Sequence, residues 1–160
     1  MNDLLARIID AHGGIDSWNR YEKVDATIVS GGGLFRMKGI PQDPAPSRMT
    51  VRLHEERSSV FPFGAPDQRT MFMPQSIAIE KLDGTTIAER HAPRDSFAGH
   101  QMNTSWDALH RAYFNGYAMW TYLTTPFLLA MNGVRVEETE PWQEGTGNMA
   151  RFTCMFSSFD

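Results

Sequence analysis

His91, His100 and His110, with Asp95 and Asp107 close by in sequence, carry the imidazole and carboxylate groups that zinc or iron takes as ligands. Their spacing contains no tight ligand pair of the H-x-x-x-H kind. The simpler reading makes His91 and His100 loop residues and His110 a helix residue balanced by Asp107 three positions earlier. Neither a metal nor a cofactor is expected. The same residues suit a second chemistry, in which His100 or His110 is the general base of a small enzyme and Asp107 orients it. His12, directly before Gly13-Gly14, fits a helix C-terminus and complements its dipole. His54 should share a strand face with Thr50 and Arg52.

Nucleophilic chemistry has little to build on. Cys154 falls in an expected strand with no histidine beside it in sequence, and no G-x-S-x-G elbow occurs. Gly31-Gly32-Gly33 could cradle a phosphate only if a helix opened directly after it; a strand is expected there, so a glycine turn is the better reading. Asn103-Thr104-Ser105 matches a glycosylation sequon by chance, and these residues are better used to cap a helix. No catalytic residue is assigned.

A surplus of large, soft apolar side chains remains, with 10 Met, 10 Phe and 4 Trp. The plain reading is that they fill an irregular core. The sharper one is a cavity between a sheet and a long helix. The strands would contribute Phe35, Met37, Met49, Val51 and Phe72, and the helical segment Tyr113, Tyr117, Trp120 and Phe127. Such a lining suits an acyl chain or another lipid-like molecule.

The elements that must position these residues follow from periodicity. Leu4, Leu5, Ile8, Ile9 and His12 recur at helical spacing, with Asn2 or Asp3 to cap and Gly13-Gly14 to stop the helix. A short turn carrying Trp18 follows. From Tyr21 the period becomes two: Val24, Ala26 and Ile28 alternate with polar neighbours, and Leu34 to Lys38 is expected to return as a second strand across the glycine run. After a loop from Pro41 to Pro46, Met49, Val51 and Leu53 alternate as a half-buried strand. Further strands are expected at Ser58 to Phe63, Thr70 to Met73 and Ser76 to Lys81. The last should pair with Thr85 to Arg90 across Asp83-Gly84, a strong hairpin signal. A polar loop, Ala92 to Thr104, leads to an aromatic helix. Ser105 should cap it, Asp107 should sit in its first turn, and Pro126 should end it. Val134 to Thr139 and Met149 to Phe156 read as a closing pair of strands around a turn at Glu144 to Gly147.

These elements imply one α+β domain over residues 1 to 160, a curved antiparallel sheet forming an incomplete half-barrel. An N-terminal helix and a longer aromatic helix should cover its concave face. A chain of 160 residues with 41% apolar and 21% charged side chains can bury one core. A net charge of −4 and singly scattered Arg and Lys argue against a nucleic-acid partner. One cysteine excludes an internal disulfide, and the Met-Asn-Asp-Leu-Leu start lacks the basic and apolar regions of a secretion signal, so a cytoplasmic location is expected. The most apolar stretch, Tyr117 to Met131, is interrupted by Thr121, Thr124, Thr125 and Pro126 and is too short to span a bilayer.

The opening Ile8-Ile9-Asp10-Ala11-His12-Gly13-Gly14 with Trp18 resembles the N-terminal signature of a group of uncharacterised bacterial proteins, similar in plan to the LolA/LolB lipoprotein-carrier half-barrels. The stretch from Trp106-Asp107 through Leu109-His110-Arg111-Ala112-Tyr113-Phe114-Asn115-Gly116-Tyr117 to Thr124-Thr125-Pro126-Phe127 looks like the same group. The resemblance touches most of residues 4 to 140, implies the half-barrel plan, and carries no functional carrier residue onto a position here. Related chains look longer, which makes a truncated or frame-altered product with an uncovered sheet edge an expectation. Three functions follow: a non-enzymatic module for a hydrophobic or lipid-like ligand, first in rank; a small enzyme built on His110 and Asp107; or a structural fragment that self-associates through its open edge.

Overall fold

The computed structural model describes residues 2–41 and 45–156. The middle of the expected Pro41 to Pro46 loop and the tail after Phe156 lie outside the described residues. The protein is α+β, and its described residues form a six-stranded antiparallel sheet that does not close into a barrel, a separate two-stranded sheet and four α-helices. The chain groups into two compact units: one is Glu22–Leu123; the other combines Met1–Tyr21 with Thr124–Asp160.

The Glu22–Leu123 unit is a meander. Strands β1 (Lys23–Ile28), β2 (Ser47–Arg52), β3 (Ser58–Phe61), β4 (Gln68–Met73), β5 (Ser76–Lys81) and β6 (Thr86–His91) lie side by side in chain order, every neighbour antiparallel. Period-two alternation sets the buried face: Met49 and Val51, then Val60, Phe72, Ile77 and Ile79 are withdrawn from solvent. Asp83-Gly84 turns β5 into β6 as its chemistry requires. Gly84 takes a positive φ of 90°, and Asp83 Oδ1 accepts the Thr85 N–H at 2.8 Å. Between β3 and β4 the ladder is short, with Ser58 opposite Phe72. There the buried Thr70 accepts the Val60 N–H on its hydroxyl at 2.9 Å, replacing a backbone acceptor.

One element departs from expectation. Leu34 to Lys38 is no strand: Gly33–Met37 forms a helix, α3, and β1 pairs with β2, from Lys23 opposite Arg52 to Ile28 opposite Ser47. A five-residue apolar run has too little length to fix its period, and Leu, Arg and Met all favour helix. Phe35 anchors α3, edge-on to Phe114 at 6.1 Å.

The long helix α4 (Ala108–Thr124) packs its small and aromatic residues on the buried face of the sheet. Gly116 lies so close to Phe72 that an added Cβ would stand 2.5 Å from its Cγ. Trp120 donates its Nε1–H to both Arg52 O (3.0 Å) and Glu55 O (2.7 Å). The helix stops before Thr125-Pro126, as proline requires.

In the other unit, α1 (Asp3–Ala11) is capped by Asn2, whose Oδ1 accepts the Leu5 N–H at 3.0 Å. Leu5 and Ile9 pack with Phe127, and Trp18 of the short helix α2 (Ile15–Trp18) stacks on Phe127 at 4.3 Å. Strands β7 (Val134–Glu144) and β8 (Gly147–Phe156) form a long hairpin, extending the expected pair to the turn itself. No helix among the described residues is long and apolar enough to cross a membrane.

Candidate functional site

Two segments of the Glu22–Leu123 unit build the site. After β6, Ala92 adopts a left-handed conformation (φ 45°), and Pro93 opens a single 3-10 turn, Pro93–Phe97. Proline suits that first position because its missing N–H would lack a partner there anyway. Ser96 Oγ closes the turn on Pro93 O at 2.6 Å.

Facing it is the first half of α4. Its cap is Asp107, two residues later than Ser105, because Asp107 Oδ1 accepts the His110 N–H at 2.8 Å and Asp107 O accepts the Arg111 N–H at 3.2 Å. Arg90 straps the two segments together, with Nη2 on Asp107 Oδ2 at 2.5 Å and Nη1 on Ser96 Oγ at 3.3 Å. Partial burial pushes the Asp107 carboxyl up, but the hydrogen bonds from Arg90 and from the His110 backbone outweigh it and hold the carboxyl below its ordinary value.

Phe97 hangs from the turn into an aromatic nest. Its ring lies 4.8 Å from His110, 5.5 Å from His100, 5.5 Å from Trp106 and 6.0 Å from Tyr113. Beside it opens a cavity of about 250 Å³ lined by Arg94, Phe97, Tyr113, Phe114, Tyr117 and Ala118. Five of those six residues present carbon to the space, so it is apolar with a single cation at its rim. An engineered apolar cavity of roughly 150 Å³ holds benzene, whereas drug-sized ligands need roughly 300 Å³ or more. A molecule of one ring or a short alkyl chain is the matching size.

The polar groups converge at one side. Arg94 reaches Tyr117 Oη at 3.4 Å, and its guanidinium carbon stands 5.7 Å from that ring's centre. Hydrogen bonding to Tyr113 and the nearby Tyr117 keep Arg94 firmly cationic. Burial pushes the Tyr113 phenol up, opposed by Arg94, and Tyr113 Oη donates to Pro74 O at 3.2 Å. Burial likewise pushes the half-buried Glu56 up, with Arg94 pulling the other way. No carboxylate among the described residues lies within ion-pair distance of Arg94.

The residues expected to line a cavity are distributed differently. Tyr113 and Tyr117 do line it. Met49, Val51 and Phe72 are wholly buried in the sheet's packed face, Trp120 is fixed by its indole hydrogen bonds, and Phe35 is buried beside Phe114. Met37 is 52% exposed on α3, and Phe127 packs on Trp18 in the other unit. Arg94, Phe97, Phe114 and Ala118 escaped sequence reasoning. A signal existed for two of them, since Phe114 and Ala118 extend the stripe of Tyr113 and Tyr117 at helical spacing. Arg94 and Phe97 sat in what read as a polar loop.

The histidines have assigned places. His110 Nδ1 lies 3.2 Å from the Asp107 backbone nitrogen and 2.8 Å from Asp107 Oδ1, and its Nε2 lies 3.3 Å from Ser96 O, so one ring nitrogen faces the helix cap and the other faces the turn. His100 lies 5.1 Å from His110, ring to ring, with its Nδ1 buried and unpartnered. His91 is exposed on β6, 3.9 Å from Glu89, and His12 Nδ1 binds Ile8 O at 2.7 Å at the end of α1. Among the described residues no three His, Cys, Asp or Glu side chains come together to hold a metal ion.

A second cleft, about 520 Å³, lies in the other unit against Asn2, Leu5 and the 129–136 segment, with walls of mixed polarity, no aromatic ring in its lining and one charged residue, Arg135, which is ion-paired with Glu137. Comparison with family models, curated proteins and solved structures finds no match for this chain.

Proposed function

We propose that the protein binds a small apolar molecule, without transforming it, in the aromatic cavity between the Pro93–Phe97 turn and α4. The observation that carries this reading is the cavity itself. About 250 Å³ of space is walled by Phe97, Tyr113, Phe114, Tyr117 and Ala118. Small-molecule sites are concave and mostly apolar with a few polar groups, so an apolar recess of this size is a natural ligand seat. Its volume favours one ring or a short alkyl chain over a full-length lipid. A binding role also suits His110, whose ring nitrogens are taken up by Asp107 at the helix cap and by Ser96 O on the turn. The LolA/LolB-like plan remains an expectation from resemblance and lends no weight to the size of the ligand.

The test is calorimetric titration of the full chain with 3-phenyl-1-propanol. Saturable binding of one molecule per chain, with a negative heat-capacity change, is the expected result. The absence of heat up to the solubility of the alcohol removes the proposal's basis.

A further inference from the structure

Resting on that reading, we infer that the ligand carries an anionic head, a carboxylate, which Arg94 receives at the cavity rim while the apolar body lies against Phe97, Phe114 and Tyr117. Arg94 is the one charged residue in the lining, and it stands at the edge of an otherwise carbon-lined space. It is hydrogen-bonded to Tyr113, makes a long 3.4 Å contact with Tyr117 Oη, and has no ion pair within 4 Å among the described residues. Every neighbour of its guanidinium that these contacts name is a neutral phenol. The guanidinium fork therefore retains donors for an incoming oxyanion. A guanidinium pairs with a carboxylate through two parallel N–H···O bonds, and such charge-assisted bonds are roughly twice as strong as neutral ones.

The phenol hydroxyls add orientation. Tyr113 Oη is committed to Pro74 O as a donor, so toward a ligand it offers lone pairs, whereas Tyr117 Oη accepts from Arg94 and keeps its own proton to donate. One cation and one free O–H donor side by side suit two carboxylate oxygens. Glu56 is the competing charge in this neighbourhood. It lies near enough to interact with Arg94 electrostatically, and no ion pair within 4 Å joins the two among the described residues. A carboxylate ligand thus meets a cation that its own protein leaves incompletely neutralised.

The experiment compares two ligands of one skeleton, 3-phenylpropionate and 3-phenyl-1-propanol, at pH 7 and low salt, on wild type, Arg94→Gln and Glu56→Gln. The acid is expected to bind wild type at least about tenfold tighter than the alcohol. Arg94→Gln is expected to bring the acid to the level of the alcohol while the alcohol's own affinity changes less than about twofold. Glu56→Gln is expected to tighten the acid about two- to fivefold and leave the alcohol unchanged. If the alcohol binds wild type as well as the acid does, or if Arg94→Gln leaves the ratio intact, the head-group inference is overturned and the apolar site stands. If neither compound binds wild type, the site reading falls and takes the inference with it. Arg94 is exposed on its turn, and an unchanged melting temperature for Arg94→Gln confirms that the variant reads recognition rather than folding.

Discussion

Two faces of α4, presented by the same turns, meet their surroundings in opposite ways. At Gly116 and Trp120 the helix touches the sheet with no room to spare: the Gly116 Cα lies where a single methyl would collide with Phe72, and the Trp120 indole is pinned by two carbonyls. At Tyr113, Phe114, Tyr117 and Ala118 the same helix faces the Pro93–Phe97 turn across about 250 Å³ of open space. The difference comes from what stands opposite. A strand offers a continuous pleated row that a glycine lets the helix approach closely, whereas a single 3-10 turn offers one ring, Phe97, and a long cation, Arg94. Close packing on one side holds the helix rigid, and a rigid helix keeps the recess on the other side from collapsing.

Substitutions can break this contrast from its packed side first. Gly116→Ala should be the most damaging. A Cβ 2.6 Å from Phe72 Cβ forces movement of a fully buried ring close to its backbone. Overpacking costs about 3 kcal/mol, and the better helix propensity of alanine returns about 1 kcal/mol. A net loss of about 2 kcal/mol is expected in urea unfolding. The same change at an exposed helix site would stabilise, so a rise in stability at Gly116 would show that the helix does not approach the sheet this closely.

Thr70→Val is the next largest. It keeps the shape and removes only the acceptor for the buried Val60 N–H, which should cost about 1.5 kcal/mol, toward the middle of the usual range for an orphaned donor. Amide hydrogen exchange at Val60 should quicken more than at its neighbours on β3.

Asp107→Ala has the smallest expected effect on stability, about 1 kcal/mol for the lost cap, and it sharpens the account of the turn. The carboxyl's value is lowered in the folded state, so its contribution is present above its ordinary value near 4 and fades as pH falls through the lower folded value. Wild type and variant should therefore differ at pH 6, begin to converge as the pH falls below about 4, and coincide only below the folded value. A gap that is independent of pH would assign the loss to packing instead.

The strands and the long helix were legible because each carries a periodic pattern with punctuation at its ends. Ser76–Lys81 falls where alternation and Asp83-Gly84 put it, and Pro126 marks the end of α4. Leu34 to Lys38 lacked that length, so alternation over five residues could not distinguish a strand from the turn and a half of helix that it forms. The site was half legible for a different reason. Alternation and helical spacing say which face a side chain takes, but not whether the space before it is filled. Met49, Val51 and Phe72 do face α4's side of the sheet, and it is Gly116, with no side chain, that lets the helix come down and close the gap in front of Phe72. Phe97 and Arg94 belong to a stretch without period, and their role comes from Pro93 shaping a turn and Arg90 strapping it to Asp107, neither of which a linear pattern records.

The most direct test of the central claim fills the recess without touching its polar rim. Ala118→Leu adds three carbons to the cavity wall, so it should leave the melting temperature within a few degrees of wild type and weaken 3-phenyl-1-propanol at least tenfold in calorimetric titration. Undiminished binding in a folded Ala118→Leu protein would contradict the assignment of the ligand to this cavity.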